Sequence, residues 1–302
     1  MIQTPKPRAS DFTSQLAGNV YLFKETPLQL RHRLGKGSFG SVYAAHEAGL
    51  EFAVKAVRTK TKDDEELLKS EVETLHLVGP YAHPHLVRLL DINFPFENTQ
   101  TVFLRFPLAP FGSLANFMDD FKEEITSEFC WNTYAKILDG LAFLHSRNVF
   151  HRDVKPENIL MQDVDQPQIG DFGLAYIAKD GLVPIFNNGA GTKSYLPPEF
   201  FDFGKFLAVF GDLWAAGVTL LYMLAGSRIW LEASQNDRQF TKFQDKKAHE
   251  RIGMTKVGEV KKLLERDPCK RETPKIYQDA LKKYNEEVTF LKVEEPEMYN
   301  LK

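Results

Sequence analysis

His151-Arg152-Asp153-Val154-Lys155-Pro156-Glu157-Asn158 is the stretch on which the reading of this chain turns. Asp153 brings a carboxylate that can take a proton. Lys155 adds a compact positive charge two residues on, and Asn158 an amide oxygen three residues beyond that. A carboxylate, a cation and a metal-capable oxygen are what in-line phosphoryl transfer needs beside an attacking hydroxyl. Thirteen residues after Asn158, Asp171-Phe172-Gly173 supplies a second carboxylate and then a residue free to turn the backbone. A solvated polar loop explains either piece alone; it does not explain eight ordered residues and this turn at this spacing.

Upstream, Gly35-Lys36-Gly37-Ser38-Phe39-Gly40-Ser41-Val42 carries three glycines, where backbone N–H groups can approach phosphates closely. The same pattern occurs in dinucleotide-binding turns, but those open a helix. Here a β-like run follows, Ser41-Val42-Tyr43-Ala44-Ala45, and then a second strand, Glu51-Phe52-Ala53-Val54-Lys55-Ala56-Val57. Alternation in that strand sets Phe52, Val54 and Ala56 on one face against Ala53, Lys55 and Val57 on the other. A lysine amid apolar neighbours is costly unless paired. Leu68, Val72, Leu75 and Val78 then recur at helical spacing, with Glu71 between them near the centre of that helix. Glu65 and Glu66 read as solvated first-turn carboxylates, Glu66 being the alternative partner for Lys55 if the register shifts.

In their order and spacing these motifs resemble the eukaryotic-type protein kinases. The resemblance runs over residues 28–284 and implies an α+β, two-lobed protein-kinase-like fold. A small antiparallel-sheet N-lobe with one main helix (about 28–106) precedes a hinge (about 107–110) and a larger, mainly helical C-lobe (about 111–285). Residues 1–27 read as a partly ordered arm and 286–302 as a tail. The resemblance implies ATP and Mg²⁺ as cofactors. Leu34, Gly35, Lys36, Gly37, Ser38, Phe39, Gly40, Val42, Ala53 and Lys55 would cover and hold the nucleotide, with Glu71 orienting Lys55. Phe106 would guard the back of the adenine pocket. Backbone groups of Pro107, Leu108 and Ala109 would bond adenine, and Leu160 would form its floor. Pro107 stands where the family usually has an acidic residue; it lacks an N–H but keeps its carbonyl.

By the same resemblance Asp153 is the base, Lys155 steadies the transferred group, and Asn158 and Asp171 hold Mg²⁺. Gly191-Thr192-Lys193-Ser194-Tyr195-Leu196-Pro197-Pro198-Glu199 is similar to the closure of the family's activation segment, with Pro197 in place of alanine. Thr192 would bond the catalytic lysine and aspartate. Asp212 would hold the catalytic-loop backbone, and Arg271 would pair with Glu199. Lys155 in the Asp-x-Lys-x-x-Asn pattern points to a protein substrate with a serine or threonine acceptor. One feature departs from the common pattern: between Leu174 and Gly191 there is no serine or threonine, only Tyr176. Arg152 would ordinarily clamp a phosphate from this stretch. The expectation is a kinase not switched on by mid-segment phosphorylation, with Leu182-Val183-Pro184-Ile185-Phe186 holding the segment by packing instead.

The bulk numbers agree with a soluble globular chain of 302 residues, 43% hydrophobic and 26% charged. A net charge of −3 gives no electrostatic case for nucleic acid or anionic membrane. Cys130 and Cys269 are too few for a disulfide framework or a zinc site, and His83 and His85 have no companions at ligand spacing. No secretory h-region precedes residue 8, and the most apolar run, 213–225, reads as a buried helix too short to span a membrane. The expectation is a cytoplasmic or nuclear protein, monomeric by default. Residues 83–90 read as a turn and a new strand, 91–100 as a loop, 114–121 and 128–146 as helices, 235–250 as a loop with a helix, 256–266 as an amphipathic helix and 278–291 as the last one. By the same resemblance Glu157 would read a basic substrate residue, while Ser113 and Tyr222 supply no second acid where basophilic relatives often have one. Two rivals stand beside this reading: a kinase-like scaffold without activity (a pseudokinase), and a kinase of small molecules or lipids. The first would be marked by loss of Lys55, Asp153 or Asp171, and the second by absence of the Pro198-Glu199 closure and of Arg271; all of these residues are present.

Overall fold

The computed structural model describes residues 20–23, 26–36, 40–79, 83–93, 101–179, 183–187, 189–245 and 257–294. Gly37, Ser38 and Phe39 at the tip of the glycine loop, Leu182, and the ends of the expected arm and tail lie outside the described residues.

The N-lobe is an antiparallel sheet of six strands: β1 (Val20–Phe23), β2 (Thr26–Lys36), β3 (Gly40–Glu47), β4 (Leu50–Arg58), β5 (Asp91–Asn93) and β6 (Thr101–Pro107), in the order β1-β2-β3-β4-β6-β5. Register fixes the two faces. Val42 pairs with Lys55 and Lys55 with Leu104; Ala44 pairs with Ala53 and Ala53 with Phe106. Because side chains alternate along a strand, these six share one face. The opposite face carries Tyr43, Ala45, Phe52, Val54, Ala56 and Phe103, which are buried together with Leu28 and Leu30 as a small core of their own.

Helix α1 (Lys62–Val78) crosses the first face. It starts within the charged segment 61–66: Thr61 is its N-cap, accepting from the Asp64 N–H, while the Asp64 carboxylate accepts from the Thr61 N–H, a reciprocal capping box. Leu68, Glu71, Thr74, Leu75 and Val78 are its buried residues in this register, and Glu66 is exposed.

Two readings of the following stretch are corrected. Residues 83–90 form no strand: Leu86 makes a single bridge to Ile169 and the chain runs on unpaired by strand until Leu90, whose N–H donates to the Arg105 carbonyl (2.8 Å). The strand comes later, as β5, at Asp91–Asn93, within the segment read as a loop. Three residues are too few to show a period-2 pattern. Part of the expected arm is likewise in the sheet, as β1.

The C-lobe is built on α3 (Ser127–Ser146) and α5 (Ala208–Ala225), preceded by α2 (Leu114–Asp120). Between α3 and α5 lie short strands β7 (Val149–Phe150), β8 (Ile159–Asp163), β9 (Gln166–Ile169), β10 (Tyr176–Ile177) and β11 (Ile185–Phe186), helix α4 (Pro198–Phe203) and β12 (Phe206–Leu207). Helices α6 (Arg238–Gln244), α7 (Val257–Leu263) and α8 (Lys275–Glu294) complete the lobe. Helix α5 begins five residues before the expected apolar run. It is therefore, among the described residues, the one helix long and apolar enough to cross a membrane, and most of it is buried here. Trp214, Ala216 and Leu220 of this helix are fully enclosed. One large core joins α1, the strands beneath it, α2, α3 and α5, so the lobes share apolar packing through Phe172 and Leu75.

Candidate active site

Lys55 stands on the α1 side of β4, where alternation put it. Its Nζ donates to Glu71 Oε1 (2.6 Å) and to Asp171 Oδ1 (2.8 Å). Lys55 and Glu71 are buried, while Asp171 is 40% exposed at its side chain. Burial works against the Lys55 charge, but Glu71 and Asp171 outweigh it and hold the ammonium above its ordinary pKa. Burial likewise works against the Asp171 carboxylate; Lys55, with help from His151 and Lys155, outweighs it and holds Asp171 below its ordinary value. Burial dominates at Glu71 and pushes it up. Asp171 has φ +59°, a left-handed conformation that aspartate tolerates. Beside it Phe172 is buried, its ring edge-on to His151 at 5.3 Å between centroids.

The loop from β7 to β8 carries the second cluster. Asp153 accepts four hydrogen bonds. Oδ1 takes the Thr192 N–H (2.9 Å) and the Thr192 hydroxyl (2.8 Å). Oδ2 takes Lys155 Nζ (2.6 Å) and Asn158 Nδ2 (2.9 Å). Lys155 also donates to Thr192 Oγ1 (2.7 Å), and Asn158 Nδ2 to the Asp153 carbonyl (2.8 Å). Asp153, Lys155, Asn158 and Thr192 thus form one closed network, although Thr192 lies 39 residues from Asp153 in the chain.

Asp212 of α5 holds this loop from beneath. Its Oδ2 accepts the His151 N–H and its Oδ1 the Arg152 N–H, both at 2.8 Å. Burial works against this charge, and a hydrogen bond from His145 with the neighbouring His151 outweighs it, so Asp212 sits below its ordinary pKa. His145 Nε2 is 2.9 Å from Asp212 Oδ2, and its Nδ1 is 2.7 Å from the Tyr277 hydroxyl. His145 and Tyr277 were not among the residues singled out from sequence. The available signal was a histidine on the buried face of an otherwise apolar helix, a position that calls for a partner.

The residues expected to line the nucleotide come from both lobes. Ala53 is buried, Val42, Phe106, Pro107, Leu108, Ala109 and Leu160 are half-buried, and Leu34 is 46% exposed. Pro107 closes β6, and the connector is pinned by Gly112 N–H donating to the Ala109 carbonyl (3.1 Å) and by the Phe111–Met161 and Met161–Gly112 backbone bonds. Gly40 lies against β4 so closely that a Cβ would fall 2.3 Å from the Ala56 carbonyl oxygen, so only glycine fits. Gly35 and Lys36 end β2; Gly37, Ser38 and Phe39 lie outside the described residues. Glu199 and Arg271 make a bidentate pair (3.0 and 2.8 Å) that ties α4 to the segment before α8.

The family model described as the protein kinase domain matches residues 28–284. This chain belongs to the protein kinase family. Among curated kinases, it is 33% identical over 204 residues to the L-type lectin-domain containing receptor kinase V.9 of Arabidopsis thaliana, covering 65% of this chain and 29% of that one. It is 29% identical over 231 residues to death-associated protein kinase 2 of Mus musculus, covering 72% and 60%. It is 28% identical over 203 residues to CBL-interacting serine/threonine-protein kinase 2 of Arabidopsis thaliana, covering 64% and 42%. The chain therefore spans between under a third and three fifths of these kinases' lengths.

Proposed function

We propose that this chain is an ATP-dependent serine/threonine protein kinase in which Asp153 serves as the base. The observation that carries the reading is the closed network of Asp153, Lys155, Asn158 and Thr192, with Lys155 near enough to help depress Asp171. The donor set fits a magnesium nucleotide. Asn158 spends its amide nitrogen on Asp153 and keeps its amide oxygen, and Asp171 adds a carboxylate. Mg²⁺ takes one or two protein oxygens beside phosphate oxygens and water, so two such ligands suffice. When bound, Mg·ATP supplies the transferable phosphoryl group and offsets its developing charge.

The chain's own residues do the rest. A carboxylate offers about four lone-pair sites, and all four sites of Asp153 are filled. An acceptor hydroxyl must therefore displace one donor. The Thr192 backbone and Asn158 are fixed by the fold, and the Thr192 hydroxyl is carried on that same fixed residue; the Lys155 ammonium, on a long flexible stem and 19% exposed, is the donor freest to leave. Release of Asp153 by Lys155 couples two events: the carboxylate becomes able to take the hydroxyl proton, and a cation becomes available for the transferred group. Thr192 keeps hold of Asp153 throughout and fixes its plane. Lys55, fixed by Glu71, would hold phosphate oxygens, and the apolar wall from Val42, Ala53 and Leu160 would exclude water from the base ring. Support for serine and threonine over tyrosine comes from Lys155 two residues after Asp153 and from one relative being a CBL-interacting serine/threonine-protein kinase.

The test is transfer of labelled γ-phosphate from Mg·ATP to a mixed protein substrate, followed by phosphoamino-acid analysis. Phosphoserine or phosphothreonine is expected, with Asp153→Asn slower by about 10²–10⁴ and Lys55→Met equally impaired. Nucleotide binding without transfer in the wild type would overturn the reading in favour of a kinase-like scaffold. Transfer to small hydroxyl compounds but never to protein would favour a small-molecule kinase.

A further inference from the structure

Resting on that reading, we propose that the ring of Phe186, stacked on the face of Arg152, does the anchoring that an activation-segment phosphate would do in the guanidinium plane, so that the described parts of segment 171–199 are held by aromatic packing. Arg152 Cζ lies 4.1 Å from the centroid of the Phe186 ring. Phe186 is 8% exposed, although its neighbour Ile185 is 61% exposed. The ring is turned inward from a short strand, and one of its partners there is a cation.

The rest of the segment is built to deliver that ring. β11 pairs with β12, Ile185 opposite Leu207 and Phe186 opposite Phe206. The Ala208 N–H donates to the Pro184 carbonyl (3.0 Å), fixing the entry to β11. Tyr176 meets Phe186 edge-on at 5.5 Å, and Phe206 lies 5.9 Å away. Phe150, Ala178, Phe186, Leu196, Phe206 and Ala208 close into one buried cluster, separate from the main core. The upstream half is stitched down independently by β10 on β7, with Tyr176 opposite Phe150. The Ala178 N–H donates to the Asn148 carbonyl (2.9 Å). Phe186 is therefore the point where both halves of the segment and the catalytic loop meet.

The chemistry of the substitution is direct. A guanidinium next to a catalytic carboxylate can be satisfied in its plane by anionic oxygens or on its face by a π-system. No serine or threonine stands between Leu174 and Gly191 to carry a phosphate, and Tyr176, the single hydroxyl there, is itself part of the aromatic packing. Phe186 acts here as a positioning residue: it acts on Asp153 through Arg152 and touches no reacting atom.

The experiment uses the full chain, stripped of phosphate by a broad-specificity phosphatase, with absence of phosphate on 171–199 checked by peptide mass. Transfer kinetics and hydrogen–deuterium exchange of the peptide spanning 183–187 are then read for wild type, Phe186→Tyr, Phe186→Leu and Phe186→Ala. The expected result is wild-type kcat unchanged to within about twofold by the phosphatase and slow exchange in β11. Phe186→Tyr should match it, while Phe186→Leu loses roughly tenfold in kcat at little change in KM for ATP, the order of factor a cation–π contact carries. Phe186→Ala should lose more and exchange fast. Activity that vanishes on phosphatase treatment, or Phe186→Leu equal to Phe186→Tyr, overturns the proposal. Should no variant transfer phosphate under any condition, the kinase reading falls, and exchange alone decides the anchor. Protection in wild type and its loss in Phe186→Leu uphold it; fast exchange in wild type ends it.

Discussion

Cutting Arg271 back to methionine leaves the Glu199 carboxylate buried with its partner gone. The pair is bidentate, at 3.0 and 2.8 Å, and the two side chains are 4% and 7% exposed. Arg271 also lies over the Trp214 ring at 4.7 Å, and its Nε donates to the Glu265 carbonyl at 3.1 Å. Methionine retains much of the stem packing, so the loss falls on the charge. Removing one member of a buried pair costs about 3–5 kcal/mol, because the survivor keeps its desolvation penalty. At roughly 2–4 °C per kcal/mol for a domain of this size, the melting temperature should fall by about 6–20 °C. Guanidinium unfolding followed by tryptophan fluorescence is well suited, since Trp214 sits beneath the substituted side chain. Adding Glu199→Gln should then recover part of the loss, and the double-mutant cycle should show coupling of about 1.5–3 kcal/mol. A loss below about 1 kcal/mol, the value of an exposed pair, would refute the reasoning. So would a cycle with no coupling.

Thr192→Val removes the hydroxyl that donates to Asp153 Oδ1 and accepts from Lys155, while the Thr192 N–H still holds Asp153. We expect kcat to fall roughly tenfold with the melting temperature nearly unchanged, and Thr192→Ser to restore most of it; loss of a single charged hydrogen bond is about this size. His85 is held below its ordinary pKa of 6.5, chiefly by burial and also by His83, against the opposing Pro167 carbonyl. The unfolded chain therefore binds the proton more readily, so the stability from His85 is fully present above pH 6.5 and is lost as pH falls through its lower folded value. Urea titrations from pH 7.5 to 5 should show this decline in the wild type and a shallower one in His85→Asn; equal slopes would remove His85 from the account.

Much of the site was legible because its parts are local. Period-2 alternation placed Lys55 within one apolar strand and helical spacing placed Glu71 near the centre of one helix, while the resemblance supplied their partnership. Each is fixed by backbone geometry that neighbouring residues report. What stayed hidden was either too short to be periodic or too distant to be local. β5 has three residues and β11 and β12 have two each, and neither length can display a pattern. The start of α1 was hidden by composition: Thr61 and Asp64 form a capping box inside a charged run that reads as solvent-facing. Helix α8 starts at Lys275, right after Pro274, three residues before the apolar spacing becomes visible. The partnership of Tyr277 with His145 spans 132 residues, and no local signal carries it.

These long-range links also explain the backbone at Arg152. Its φ of +69° is unusual for a long side chain and costs of order 1–3 kcal/mol. One hydrogen bond offsets it, and one close approach leaves it little room to relax. The Arg152 N–H is fixed on Asp212, which is itself held by His145 and, through it, Tyr277. On the other side Gly191 approaches so closely that a Cβ there would lie 2.5 Å from the Arg152 carbonyl oxygen. With the peptide groups on both sides held in this way, the Arg152 side chain leaves the loop in the direction of Phe186, and the next residue, Asp153, is turned toward Thr192. The same strained residue thus stands between a carboxylate turned to Thr192 and a guanidinium turned to Phe186. On the proposal made above, a change in how Arg152 is satisfied would be felt at Asp153, the next residue, with no intervening element to absorb it, and a ring in place of a phosphate would act by that route.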